Sequence, residues 1–300
     1  MATAVIFPGQ GSQRVGMGRD LVKLTDLFNI ADKTLGYSLS DIMFSGPDDL
    51  LVLTENAQPA LLTHSYALWS LIKDRVKVDY FAGHSLGEYT AVLAAGGFSF
   101  ETAVEAVHNR GKFMQIAAPL GDGGMLAVIG SNNKDIEEAC AEASIPNEKV
   151  RPANYNAPTQ TVVAGDAVAL DRFAEIMKRK GAKRIVPLAV SAPFHSYLME
   201  EAQIRMEIYL SNVKINKLSV PIINNVDAKI QTEPEAVKNA LARQITGSVK
   251  WLQSVEKLIE EGVTKFIEVG SGSVLTGLIK KIDKNVECIS VSTAEDTAKL

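Results

Sequence analysis

The chain has 300 residues, a length that suits one or two domains and a sizeable buried core. Its 31 lysines and arginines against 35 acidic residues give a net charge of −4, without the basic excess of polyanion binders, so nucleic acid is excluded from the expected partners. At 46% hydrophobic and 22% charged residues, the composition excludes a disordered chain and fits a soluble globular one. Only Cys140 and Cys288 are present, which argues against a disulfide framework and against a paired-cysteine metal site, and suits a reducing compartment. The first apolar run ends at Phe7 before Pro8, too short for a signal sequence, and no window approaches the roughly 18 apolar residues of a membrane helix. A cytoplasmic protein with no membrane partner is expected.

Residues 3–7 read as a buried strand closed by Pro8. The following Gly9-Gln10-Gly11-Ser12-Gln13 lacks the Gly-Lys-Ser/Thr ending of a nucleotide loop and the third glycine of a dinucleotide fingerprint. A tight turn presenting the Gln10 amide is expected there instead. Helical periodicity covers residues 59–73, a short strand 80–82, and helices 87–95 and 100–117. The rhythm then changes to strand 124–130, helix 134–144, strands 150–154 and 159–164, helix 167–180 and strand 184–190. That βαββαβ order is the ferredoxin-like arrangement. Helix 198–213, strand 221–224, helices 234–243 and 249–261, and strands 264–269 and 286–291 complete the chain.

Alternating strands and helices predict an α/β protein with a parallel sheet covered on both faces. The expected large domain, α/β-hydrolase-like, is discontinuous over residues 1–121 and 192–300, with the ferredoxin-like small domain inserted at 122–191. Gly121-Asp122-Gly123-Gly124 and Ser191-Ala192-Pro193 are the expected crossings.

Gly83-His84-Ser85-Leu86-Gly87 is a GxSxG sequence with a strand before it and a helix after it. In that context the serine sits on a strained turn, flanking glycines permit close backbone approach, and the Leu86 amide points at the oxygen of an attacked acyl group. The competing reading is a serine that merely caps a helix. A nucleophilic serine needs a base, and there are four histidines. His64 lies in a helical run and suits a structural position. His84 is adjacent to Ser85 and points elsewhere, and His108 falls in a long helix as a partly exposed position. His195 follows the bend Ala192-Pro193-Phe194 at a strand end, where bases are commonly carried, and is the favoured candidate. Asp227 and Glu268 are conceivable third members, and a backbone carbonyl can orient the imidazole equally well.

Val107, Arg110 and Met114 share one helical face, and an arginine on a partly apolar face requires a partner. Its planar fork matches a carboxylate, either of a substrate or of the protein itself. Asn154 and Asn156, at the end of a strand, either face a cleft or cap the turn.

These segments resemble the malonyl-CoA:acyl carrier protein transacylases and the acyltransferase domains of polyketide and fatty-acid synthases. The resemblance runs through Phe7 to Gln13, Gln58-Pro59-Ala60, Gly83 to Tyr89, Arg110-Gly111-Lys112-Phe113-Met114, Asn154-Tyr155-Asn156, Ala192 to Ser196, Gln244 to Trp251 and Glu268-Val269-Gly270. It implies Ser85 as acyl-accepting nucleophile, His195 as base, and the Gln244 carbonyl as the group that orients it. It further implies an oxyanion hole from the amides of Gln10 and Leu86, and a substrate pocket with Arg110 on the acyl carboxylate beside Met114, Asn154, Asn156 and Phe194. Phe194 before His195 fits the pattern of malonyl users.

One departure is Ser248, where many relatives have proline, in the segment that would present the Gln244 carbonyl. The expected activity is malonyl transfer from coenzyme A to acyl carrier protein, by a monomer with no resident metal or cofactor. A polyketide acyltransferase acting in trans and an α/β-hydrolase-type esterase or thioesterase are the alternatives.

Overall fold

The structure, a computed structural model, describes residues 2–118, 121–190 and 192–300, so Ser191 of the anticipated second crossing lies outside it. Strand β1 (Ala2–Phe7) is followed by helices α1 (Leu27–Leu35), α2 (Leu39–Ser45), α3 (Asp48–Leu51) and α4 (Thr54–Ile72). Then come β2 (Tyr80–Gly83), α5 (Leu86–Ala94) and α6 (Phe100–Ile116). The middle of the chain forms β3 (Gly123–Ile129), α7 (Asn133–Ala143), β4 (Val150–Ala157), β5 (Gln160–Asp166), α8 (Ala167–Arg179) and β6 (Arg184–Pro187). It closes with α9 (Glu200–Ser211), β7 (Ile222–Ile223), β8 (Ile230–Gln231), α10 (Pro234–Arg243), α11 (Trp251–Glu260), β9 (Val263–Val269), α12 (Val274–Ile282) and β10 (Glu287–Val291).

Ala4 to Phe7 are apolar and buried, as a central strand covered on both faces requires. They place β1 inside a sheet of order β10-β9-β1-β2-β7-β8, parallel except for the last pair. The second sheet, of order β4-β5-β3-β6, is antiparallel throughout. The mixed α/β expectation and the order of the inserted elements therefore hold. Strand β4 of the second sheet is tied to the loop between α10 and α11, where Val249 donates to Ala153 O at 2.8 Å and Tyr155 donates to Val249 O at 2.9 Å.

Some boundaries differ from the sequence reading. Helix α4 starts five residues before the expected residue 59, with Pro59 inside it. A proline there removes the hydrogen bond to the Glu55 carbonyl, which in a long helix would leave an orphan acceptor. His108 of α6 fills the vacancy, its Nδ1 standing 3.0 Å from Glu55 O. The packing partner thus makes an internal proline tolerable, and His108 has a structural task that its place in a long helix did not announce. Helix α1 is absent from the sequence reading although Leu27, Phe28, Ile30, Ala31 and Leu35 recur at helical spacing and pack on the core. Among the described residues no helix is long and apolar enough to cross a membrane.

Candidate active site

Strands β1, β2, β7 and β9 are parallel, so the segments after their carboxyl ends gather along one edge of the sheet, where α/β proteins place their sites. From β2 the chain turns sharply into α5. A Cβ on Gly83 would stand 1.9 Å from the Gly87 backbone, and one on Gly87 would stand 2.1 Å from Phe7 O, so the turn can close only with glycine at both positions. Ser85 caps α5 with φ 51° and ψ −107°, a strained conformation for a side-chain-bearing residue. Leu86 is the first residue of α5, so its N–H belongs to the first-turn amides that the helix itself does not use.

His195 is brought to this elbow by the Pro193-Phe194 bend, itself at a positive φ of 58°. Its Nε2 lies 2.8 Å from Ser85 Oγ. Its Nδ1 faces two carbonyls, Gln244 O at 2.8 Å and Gly247 O at 3.1 Å, which can only accept. Nδ1 therefore carries the proton and Nε2 is left free to accept from the serine hydroxyl. Burial, and next the nearby Arg110 charge, push the imidazole down to about 3, so it is neutral at neutral pH. The open choice of orienting group resolves to backbone carbonyls. Asp227 is taken up by Arg243 at 2.6 Å, and Glu268 accepts the amides of Leu275 and Thr276 at the start of α12. Ser248 is held by hydrogen bonds: its hydroxyl donates to Pro152 O at 2.7 Å and accepts from Arg151 at 3.3 Å. The carbonyl-bearing segment is thereby tied to β4.

Arg110 is 1% exposed and projects from α6 to the same point. It donates to Gln58 Oε1 at 2.7 Å, Gln244 Oε1 at 2.8 Å and Ser85 Oγ at 3.0 Å. Its guanidinium carbon lies 5.5 Å from the Tyr89 ring centroid. Burial lowers its proton affinity, with Tyr89 and Glu88 opposing. None of the ion pairs among the described residues involves it. Its hydrogen-bond partners are two neutral side-chain amides and a hydroxyl, so its charge has no carboxylate in direct contact among the described residues.

Ser85, His195 and Arg110 open onto a cavity of about 260 Å³ also lined by Gln10, Met114, Met125, Asn154, Phe194, Val52 and Leu53. Asn156 is set back from it, its Oδ1 2.8 Å from His84 Nε2, and lines a neighbouring cavity that shares Gln10, His84 and Asn154. The Gln10 side chain donates to Thr54 Oγ1 at 3.2 Å. Sequence reasoning gave no task to Gln58, Glu88, Asn225 or the side chain of Gln244. Gln58 and Glu88 stand inside quoted motifs, which was the available signal. Asn225 had none, because only the β2–β7 pairing brings it to the elbow. Gln244 Nε2 donates to Glu88 Oε2 at 2.7 Å, and burial pushes that carboxyl up to about 7, against the hydrogen bonds from Gln244 and Asn225.

The family model "Acyl transferase domain" matches residues 4–296. A malonyl CoA-acyl carrier protein transacylase of Staphylococcus aureus is 43% identical over 298 residues, covering 98% of this chain and 96% of that protein. Its namesake in Bacillus subtilis is 43% identical over 297 residues, 97% and 94% of the two chains. Among solved structures, an acyl carrier protein S-malonyltransferase from Vibrio cholerae superposes with a TM-score of 0.96 at 41% identity, over 100% of this chain and 99% of that one. A malonyl-transacylase solved in complex with its type II PKS acyl-carrier protein also gives 0.96, at 39% identity over 100% and 98%. The matched range takes in the elbow, the histidine bend and the arginine helix, and the chain belongs to the acyl transferase domain family, with the malonyl CoA-acyl carrier protein transacylases.

Proposed function

We propose that the protein transfers the malonyl group of malonyl-CoA to the phosphopantetheine thiol of an acyl carrier protein, through a malonyl ester on Ser85, and so supplies an extender unit for fatty-acid synthesis. The observation that carries this reading is the contact of Ser85 Oγ with both His195 Nε2 and Arg110 Nη2. The nucleophile, its base and a cation suited to the malonyl carboxylate meet at one atom.

Ser85 Oγ attacks the thioester carbonyl carbon and its proton passes to His195 Nε2. The new C–O bond leaves a tetrahedral oxyanion, for which the amides of Leu86 and Gln10 are the donors. Each such donor is worth about 3 to 4 kcal/mol. Collapse breaks the C–S bond, and the coenzyme A sulfur takes the proton back from His195. The carrier thiol then gives its proton to His195, attacks the serine ester and leaves with the malonyl group, while Ser85 recovers its proton. His195 contributes roughly two to four orders of magnitude in rate. The Gln244 and Gly247 carbonyls support the imidazolium by accepting its Nδ1–H throughout. Met114, Phe194 and Asn154 surround the acyl group and thioester, with Asn156 behind them. No resident metal or cofactor takes part.

The strand order of the second sheet supports calling it ferredoxin-like, and the serine elbow on a parallel sheet supports an α/β-hydrolase-like large domain, divided at residues 122–191. We assign the protein to the cytoplasm as a monomer that meets its carrier in solution. A carrier from polyketide synthesis is a second possible acceptor, since one close structural neighbour is a malonyl-transacylase bound to its type II PKS acyl-carrier protein. The test is to load the protein with malonyl-CoA, add holo carrier protein, and follow malonyl-carrier against free malonate. Transfer supports the reading, and free malonate as the main product supports a thioesterase instead.

A further inference from the structure

We propose that Asn225 is a positioning residue for the nucleophile: its carboxamide clamps the backbone from Gly83 to Ser85 and holds Ser85 where its Oγ meets His195. The inference rests on the reading of Ser85 as nucleophile.

Asn225 follows β7, which reaches the elbow because Ile222 pairs with Phe81 of β2. It is 1% exposed. Its Oδ1 accepts the Ser85 N–H at 2.7 Å and its Nδ2 donates to Gly83 O at 2.8 Å. A backbone N–H can only donate and a carbonyl only accept, so the amide has a single satisfactory orientation. Its own N–H donates to Glu88 Oε2 at 3.0 Å, in the first turn of α5. The Gln244 Nε2 completes the frame, donating to Ser85 O at 2.9 Å, to Glu88 Oε2, and at a longer 3.2 Å to Asn225 Oδ1. Both the N–H and the C=O of Ser85 are therefore held by side-chain amides from outside α5.

A serine at φ 51° persists only where its surroundings over-determine it. The frame does that work, and it fixes a side chain that has to meet Nε2 at 2.8 Å. The neighbouring Asn224 provides a contrast: among the described residues its side chain hydrogen-bonds within the β7–β8 hairpin, donating to Gln231 and accepting the Asp227 N–H.

The test compares malonylation by Asn225→Ala, Asn225→Asp and Asn224→Ala with the parent, measuring kcat, KM for malonyl-CoA and thermal midpoint. Asn225→Ala is expected to lose about a hundredfold in kcat at near-parental KM, as a misplaced nucleophile would. Asn224→Ala should stay within about threefold of the parent, because its bonds hold only its own turn. Asn225→Asp keeps the acceptor for Ser85 N–H but sets a second, charged oxygen against Gly83 O. Glu88 on α5 also faces it, with Arg110 beyond Gln244. Acidification protonates the new carboxyl and restores a donor, so the activity of Asn225→Asp relative to the parent should rise as pH falls. This profile decides the matter even if Asn225→Ala does not fold.

Parental kcat in Asn225→Ala, equal losses in the two alanine variants, or a relative Asn225→Asp activity that is flat with pH would each overturn the assignment. Ser85→Ala is carried alongside. A malonyl adduct on that variant sinks the nucleophile reading itself, whereas a parent labelled on Ser85 with an indifferent Asn225 sinks only this inference.

Discussion

Arg110 Nη2 donates to Ser85 Oγ at 3.0 Å, so the cation that would read the acyl carboxylate touches the nucleophile before any substrate arrives. The same guanidinium is the second cause of the depressed basicity of His195. A malonyl carboxylate bound to Arg110 would draw it from the hydroxyl and screen its charge from the imidazole, whereas an acetyl group would do neither.

Selection for malonyl over acetyl is accordingly expected in kcat/KM and to depend on Arg110. Arg110→Ala should cut malonyl transfer about a hundredfold or more, since a buried charge-assisted pair is lost. It should raise acetyl transfer relative to malonyl, because no unpaired cation is left to face a methyl group. Arg110→Lys should restore only part of the preference, an ammonium lacking the fork. Steady-state kinetics with the two thioesters check this, and an unchanged malonyl-to-acetyl ratio in Arg110→Ala would assign the carboxylate to another group.

His195→Ala should slow the acylation step by roughly two to four orders of magnitude while leaving KM for malonyl-CoA close to the parental value. Rapid-mix acylation measures the two parameters separately. A parental rate in this variant would return the base to His84, which lies beside Ser85 but is turned toward Asn156.

Stability should fall on the acid side through the buried histidines. His64 and His195 are held down to about 4 and about 3, each chiefly by burial, so the unfolded chain takes up their protons from about pH 6.5 downward while the folded chain does not. Glu88 acts in the opposite sense. Burial raises it to about 7, so between its ordinary value and pH 7 the folded chain holds a proton that the unfolded chain lacks. Its contribution is present at low pH and lost as pH rises through 7. Glu88→Gln should therefore steepen the loss of unfolding free energy between pH 6.5 and 5.5 by up to about 1.4 kcal/mol per pH unit, one proton's worth. Denaturant melts across that window measure it, and equal slopes in parent and variant would mean that Glu88 is already ionised in the fold.

Ser248→Ala should lower kcat about fivefold, the effect of about 1 kcal/mol for a hydrogen bond that steadies the Gln244 and Gly247 carbonyls. Ser248→Pro should recover much of that loss by restoring rigidity in another way. Both kcat values come from the transfer assay, and parental activity in Ser248→Ala would show that the bridge to Val249 suffices.

The parts of the candidate site were legible in the sequence to different depths, for physical reasons. The elbow was readable because its glycines are required by contacts under 2.2 Å and leave a local string. His195 was reachable by elimination among four histidines and by its proline bend. The group orienting it, a backbone carbonyl, has no residue signature of its own, and only the family resemblance pointed to Gln244. Pro59 suggested a helix boundary only because its compensation, His108 on Glu55 O, comes from an element 53 residues away. Asn225 lay equally out of reach, 140 residues from the amide it holds.

Every step of the proposed transfer depends on a malonyl ester at Ser85. Intact mass of the parent and of Ser85→Ala, each mixed with malonyl-CoA, tests it most directly, with peptide mapping of any adduct. The parent should gain a single malonyl unit on the peptide containing Ser85 and lose it when holo carrier protein is added, while Ser85→Ala gains none. A malonyl adduct of equal yield on Ser85→Ala would contradict the account.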